Sequence, residues 1–156
     1  RNDINKKPVD LAVLVAYCVD MLASKAAEKK QVIKLHTVPC TVHADREKLW
    51  RVFSNLIGNA LKFGPENSDI DIDFTLKNNG VTVAVKDRGI GIPENLKEKI
   101  FKMTDDSKRA GTSGEPSYGL GLAICMQIMD AHEGKLWFEN RSGGGAIFYA
   151  SFACPA

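Results

Sequence analysis

The stretch from Leu49 to Phe63 constrains the fold of this chain more than any other. Leu49, Val52, Phe53, Leu56, Ile57, Ala60 and Leu61 recur at three- and four-residue steps, the period of a helix that buries one face. The opposite face must be solvated, and its make-up is unusual. Asn55, Asn59 and Lys62 follow at steps of four and three, so they stack on one side of the helix. Asparagine is a poor residue inside a helix, because its side chain competes for backbone hydrogen bonds. Two stacked asparagines beside a lysine set a hard oxygen donor suited to Mg2+ next to a cation suited to phosphate. Taken alone, the same pattern is an ordinary polar helix face.

The rest of the chain supplies the context. It has 156 residues, 44% hydrophobic and 26% charged, enough for one domain with a real core and unlike a disordered segment. The 21 basic residues nearly balance 19 acidic ones, for a net charge of +2, which offers no general surface for nucleic acid or membrane. Cys18, Cys40, Cys125 and Cys154 form no CxxC pair and read as core thiols of a reduced, cytoplasmic protein. No apolar run approaches membrane-spanning length and no signal peptide is visible. A chain that begins at Arg1 reads as a piece of something longer.

Residues 1–8 are polar and read as the tail of a linker. Asp10 is placed to cap a helix running to about Lys29, with Leu11, Leu14, Val15, Cys18, Val19 and Leu22 as its buried stripe. Val32–Leu35 and Thr41–Ala44 read as short strands. Asp45 is the expected N-cap of the central helix, and Gly64-Pro65 ends it. From Asp69 to Lys77 apolar and polar residues alternate, the mark of a half-exposed strand. Asn78-Asn79-Gly80 is a tight hairpin turn. On the returning strand, Val81, Val83 and Val85 share the inward parity with Asp87. An inward carboxylate needs donors, either from a ligand or from local backbone N–H groups in the turn.

Asp87-x-Gly89-x-Gly91 then opens a loop whose glycines allow close backbone approach. A short helix is expected over 94–101. Lys102 to Tyr118 shows no periodic pattern and reads as a mobile lid. Gly119-Leu120-Gly121-Leu122 opens a helix with Leu120, Ala123, Ile124 and Ile128 buried and Gly134 at its end. Lys135–Asn140 and Ala146–Ala153 form a hairpin around Gly143-Gly144-Gly145. Asn140-Arg141-Ser142 matches a glycosylation sequon, by chance in a cytosolic chain. Three main helices with five to seven mostly antiparallel strands predict an α+β fold with the helices on one sheet face. His132, near a helix C-terminus, reads as a favourable charge against the helix dipole.

The chain contains neither a P-loop nor a GxGxxG fingerprint, and it has no HExxH or GxSxG motif. It does carry an ordered set: Asn55-x-x-x-Asn59-x-x-Lys62-Phe63, then Asp87-x-Gly89-x-Gly91, then Gly119-x-Gly121, with the lid-like segment before the last. This set resembles the N, G1, F and G2 boxes of the catalytic, ATP-binding domain of sensor histidine kinases, within the gyrase, heat-shock chaperone and mismatch-repair ATPase superfamily. The lid text Ser107–Thr112 resembles one bacterial branch of these kinases.

The resemblance implies a two-layer α/β sandwich of the Bergerat type over residues 9–156, preceded at 1–8 by a linker from a missing dimerisation domain. It implies ATP and Mg2+ as ligands. Asn59 matches the Mg2+ asparagine and Lys62 a phosphate contact, with Asn55 beside them in the catalytic set. Phe63 matches an aromatic on the adenine face, and Asp87 the acceptor for the adenine amino group. Gly89 and Gly91 give the base room, and Ile92 lines it. Gly119, Leu120, Gly121 and Leu122 match the phosphate-binding helix start, and Lys108 and Arg109 the lid cations. Hydrolytic relatives carry a glutamate at the position of Asn55, and an amide cannot act as a base. That departure points to phosphoryl transfer. None of His36, His43 and His132 has the context of a phospho-acceptor, so the acceptor histidine is expected on a dimerisation domain elsewhere in the protein. A response regulator receiver domain is the expected downstream partner, no nucleic acid partner is expected, and the isolated domain is expected to be monomeric. Parentage in a membrane-anchored sensor is compatible with this reading. Two alternatives stay open at this point: a nucleotide-binding regulatory module without phosphotransfer, and a gyrase- or chaperone-type ATPase.

Overall fold

The structure, a computed structural model, describes residues 3–102 and 121–154. Among these the elements run β1 (Lys7–Asp10), α1 (Leu11–Met21), α2 (Ala23–Glu28), β2 (Val32–His36), β3 (Thr41–Ala44), α3 (Arg46–Phe63), β4 (Asp69–Lys77), β5 (Gly80–Lys86), a 3-10 turn (Glu94–Leu96), α4 (Gly121–Ala131), β6 (Lys135–Asn140) and β7 (Ala146–Ala153). Five strands form one sheet in the order β2-β4-β5-β7-β6, with β2 parallel to β4 and the other pairs antiparallel. β1 and β3 form a separate antiparallel pair.

The alternating sequence of β4 sorts its side chains as expected. Ile70, Ile72 and Phe74 are buried beside Val81, Val83 and Val85 of β5 and Phe148, Ala150 and Phe152 of β7. These residues make the inner face of the sheet, and the helices cover it. On the outer face the β4 aspartates meet lysines from both neighbouring strands, Lys34 on Asp69 at 2.9 Å and Lys86 on Asp73 at 3.0 Å. The hairpin between β4 and β5 turns on Asn78 (φ 54°) and Asn79 (φ 61°), the pair of positive φ values that a two-residue I′ turn requires. Gly80 already pairs with Lys77 and belongs to the strand.

The central helix α3 spans 18 residues and packs Leu49, Val52, Phe53, Leu56 and Ile57 into the core at no more than 1% exposure. Asp45 caps it, with Oδ1 accepting from the Lys48 N–H at 3.3 Å. Gly64 closes the other end through its N–H to the Ala60 carbonyl. Asp10 likewise caps α1, accepting from Val13 N–H at 3.1 Å.

Several sequence expectations change. The helix expected over 10–29 is two helices, because the chain leaves helical geometry at Leu22 (φ −99°, ψ 5°). Lys7 and Pro8, read as tail, are strand residues facing Ala44 and His43. The helix expected over 94–101 is a single 3-10 turn that has no side-chain cap, followed by turns anchored by buried Leu96 and Ile100. The buried face of α4 holds Leu122, Cys125 and Met129 as well as Ala123 and Ile128, while Ile124, expected in the buried face, is only half-buried. At its end the left-handed residue is Glu133 (φ 59°), and Gly134 N–H bonds back to the Met129 carbonyl at 2.9 Å.

His132 is not an exposed side chain at the helix end. Its ring is buried, accepts from the Asp45 N–H at Nε2 (3.0 Å), and faces the Ile128 carbonyl through Nδ1 at 2.8 Å. With Nε2 accepting, the proton sits on Nδ1, and the ring ties the end of α4 to the cap of α3.

Candidate nucleotide site

The three motif pieces meet along α3. Halfway down the helix, Gly121 at the start of α4 sits so close to Asn55 that a Cβ there would collide with Asn55 Oδ1. At the last turn, Gly89 leaves no room for a Cβ against the Phe63 carbonyl. Asn55 and Phe63 are eight residues apart, about 12 Å along a helix at the usual rise. That span suits an elongated ligand lying on the polar face, with one end at the Asp87 loop and the other at α4.

Asn55 spends its amide N–H on the Arg51 carbonyl at 2.9 Å, which turns its oxygen towards Gly121. Asn59 is different. Among the described residues its buried Nδ2 has no hydrogen-bond partner and its Oδ1 accepts nothing. A buried amide N–H without an acceptor is costly in an apolar setting. Lys62 lies on the exposed side of the last turn with its ammonium 5.4 Å from the centre of the Phe63 ring. Phe63 itself is 8% exposed. A cavity of about 630 Å3 runs over Asn55, Gly58, Asn59 and Lys62, with Leu22, Lys25 and Lys29 opposite. Its walls come from α3 and the α1–α2 region, and neither Asp87 nor Ile92 is among them.

Asp87 is 4% exposed, on the inward parity of β5. Its Oδ1 accepts from Gly89 N–H at 2.9 Å and from Ala146 N–H at 3.2 Å. Among the described residues Oδ2 accepts no hydrogen bond. Burial pushes the carboxyl above its ordinary value, opposed by the two N–H donors and by the Arg141 guanidinium. The backbone-capping role that the sequence left open is therefore real but takes only one oxygen. The other is available to a donor brought by a ligand.

Of the remaining candidate residues, Ile92 is buried and its backbone is held by Asn140. Gly91 has φ 79°, a left-handed conformation that favours glycine. Leu122 has its side chain wholly in the core and so meets any ligand only through its backbone. Lys108, Arg109, Gly119 and Leu120 lie outside the described residues, as does the lid segment beyond Lys102. No group of three or more His, Cys, Asp or Glu among the described residues is arranged to hold a metal. A Mg2+ ion here would rest on a single amide oxygen and on the ligand's own phosphates.

Sequence reasoning missed the residues that hold the site in place. Lys29 donates from Nζ to the carbonyls of Leu61, Lys62 and Gly64 at 2.8, 3.2 and 2.6 Å. Gln31 Nε2 reaches Leu61, Gly64 and Pro65. Together they satisfy the open carbonyls at the C-terminus of α3, where a cation also complements the helix dipole. A lysine and a glutamine thirty residues upstream give no local signal of this.

Residues 44–155 match the family described as histidine kinase-, DNA gyrase B-, and HSP90-like ATPase. The chain is 32% identical, over 97% of its length, to the sensor protein kinase WalK of Staphylococcus saprophyticus, of which it covers 25%. It is 38% identical over 110 residues to the adaptive-response sensory kinase SasA of Prochlorococcus marinus, covering 69% of this chain and 28% of that one. Among solved structures, the catalytic domain of histidine kinase ThkA superposes with a TM-score of 0.83 at 32% identity, over 96% of each chain. The fold is that of an ATP-binding catalytic domain. The chain belongs to the histidine kinase-, DNA gyrase B-, and HSP90-like ATPase family, as the catalytic domain of a two-component sensor histidine kinase. It spans about a quarter of the length of the curated relatives it matches.

Proposed function

We propose that this domain binds Mg·ATP and passes the γ-phosphoryl group to a histidine on a separate dimerisation domain, for onward transfer to a response regulator receiver domain in the cytoplasm. The observation that carries the reading is the half-satisfied carboxylate of Asp87, in the loop whose Gly89 packs on the last turn of α3. Residues 1–8 would lead in from the dimerisation domain, and residues 9–156 would form the catalytic unit.

Each residue then has a physical task. Asp87 Oδ2 accepts from the adenine amino group, which guanine lacks at that position. Gly89, Gly91 and Ile92 bound the base, and Phe63 flanks it. Asn59 would hold Mg2+ through its amide oxygen, and Lys62 would face phosphate. Bound there, Mg2+ would neutralise charge on the phosphate oxygens. Gly121, with Gly119, Leu120 and Leu122 around it, offers backbone N–H groups at a helix start to phosphate. Lys108 and Arg109 supply further positive charge. Asn55 takes the place of a general base and cannot activate water, which spares the γ-phosphate for the histidine nitrogen. The imidazole nitrogen forms the new N–P bond as the bond to the bridging oxygen breaks and ADP leaves. The protein contributes mainly alignment and charge.

Incubation with γ-labelled ATP and an added dimerisation-domain fragment tests this. The expected product is an acid-labile, base-stable label on the fragment's histidine. Release of inorganic phosphate with an unlabelled fragment would contradict it and favour a hydrolase.

A further inference from the structure

Residues 87–92 should be the softest part of the site. They have no regular secondary structure and include two glycines, which give up the most freedom on ordering. Yet Asp87 and Ile92, at the two ends, are only 4% and 3% exposed. What holds them lies at the far end of β6. Asn140 Oδ1 accepts from Ile92 N–H at 2.8 Å, and Asn140 Nδ2 donates to the Ile92 carbonyl at 3.2 Å. One side chain thus makes the paired bonds that a neighbouring antiparallel strand would make. The next residue, Arg141, donates from Nη1 to the Asp87 carbonyl at 3.0 Å. Its own N–H donates to the Gly145 carbonyl at 2.8 Å, which draws the glycine turn against the backbone of Asp87 and Arg88. Gly91 packs against the Asn140 amide with no space for a side chain.

We propose that Asn140 is a positioning residue that sets the base selectivity of the nucleotide pocket. It does so by fixing Ile92 relative to Asp87, while Arg141 fixes the Asp87 end. This rests on the nucleotide reading given above. Both ends of the Asn140 amide are already spent on Ile92, so the residue acts through the loop and not by touching the base. Selection by one hydrogen bond needs the carboxylate and the opposite wall held at a set spacing, because a loop that drifts lets water or a mismatched edge into the gap.

Titrations of the parent chain and of Asn140→Ala with ATP and with GTP test the proposal. Loss of two side-chain hydrogen bonds to the loop should weaken ATP binding about tenfold and leave GTP binding within about twofold, so that the preference collapses. A merely structural residue would lower both affinities by the same factor, and that result would overturn the proposal. So would an unchanged preference in the presence of normal ATP uptake by the parent, which would leave the nucleotide reading intact. Absence of ATP uptake by the parent would overturn both. Amide exchange in the parent chain gives a second measurement that needs no variant. The Ile92 N–H should exchange far more slowly than that of Ile90, which is 72% exposed. Equal rates would show that Asn140 does not hold the loop. In Asn140→Asp the acceptor for Ile92 N–H survives, so slow exchange should persist there and be lost in Asn140→Ala.

Discussion

Replacing Asp87 with asparagine separates the two jobs of this carboxylate. Asn keeps an oxygen for the N–H groups of Gly89 and Ala146, which now meet Oδ1 at 2.9 and 3.2 Å. It replaces Oδ2, the oxygen with no partner among the described residues, by an NH2 group. On the proposed reading, an acceptor for the adenine amino group becomes a donor facing a donor. A hydrogen bond to a charged group contributes roughly 1.5–3 kcal/mol, so ADP affinity should fall about 10- to 150-fold. The fold should not suffer. Burial holds the Asp87 carboxyl above its ordinary value, so the native state binds more protons than the unfolded chain between the ordinary and the folded value. The contribution of Asp87 to stability therefore falls as pH rises through that window, and its ionisation cost is fully present above it. Asn removes that cost, so the variant should melt no lower than the parent at neutral pH and should lack this part of the pH dependence. Nucleotide affinity of the parent should move the other way, falling as pH drops through the folded value and the acceptor is protonated. Calorimetric titration with ADP, alongside thermal melts across pH, measures both. An unchanged ADP affinity in a folded Asp87→Asn variant would refute the reasoning. So would a loss of affinity that simply followed a lowered melting temperature.

Asn59→Ala should weaken ADP binding about tenfold with Mg2+ present and by less than about twofold without it; equal losses in titrations with and without the metal would contradict a metal-holding amide. Gly89→Ala places a Cβ against the Phe63 carbonyl, so overpacking should cost about 1–3 kcal/mol in urea unfolding, and an unchanged midpoint would show that the loop yields freely. Asp45→Ala removes the α3 cap and the bond from Asn5 N–H at 3.0 Å, at a cost of about 1 kcal/mol at neutral pH. The Asn5 and Lys48 N–H groups hold this carboxyl below its ordinary value, so its contribution is present above that value and lost as pH falls through the folded one. The difference between parent and variant should shrink as pH falls through the folded value, and a difference that stayed constant across that fall would contradict the charge-based part of the cap.

The elements that proved legible in sequence were those specified by local chemistry. The apolar step of α3, the caps at Asp10 and Asp45, the stop at Gly64 and the Asn78-Asn79 turn each depend on residues a few positions apart. The inward parity of Asp87 followed from strand period alone. What escaped notice depends on partners distant in sequence. Asn140 and Arg141 lie 48 and 54 residues from the backbone groups they hold, and nothing near them distinguishes a brace from an ordinary strand end. Lys29 read only as a helix end and Gln31 gave no signal, yet they close the C-terminus of α3. β1 was missed because only Val9 of its four residues is buried, too little for a periodic signal. The break at Leu22 interrupts a stripe that continues across it, so periodicity passed over it.

The central claim is that α3 and the Asp87 loop form one site for an adenine nucleotide. Titration of the unmodified chain with ADP and GDP, each with and without Mg2+, tests this most directly. Saturable one-site uptake of ADP, weaker uptake of GDP, and a gain on adding the metal are expected. A well-folded sample that took up neither, or took up both alike, would contradict it.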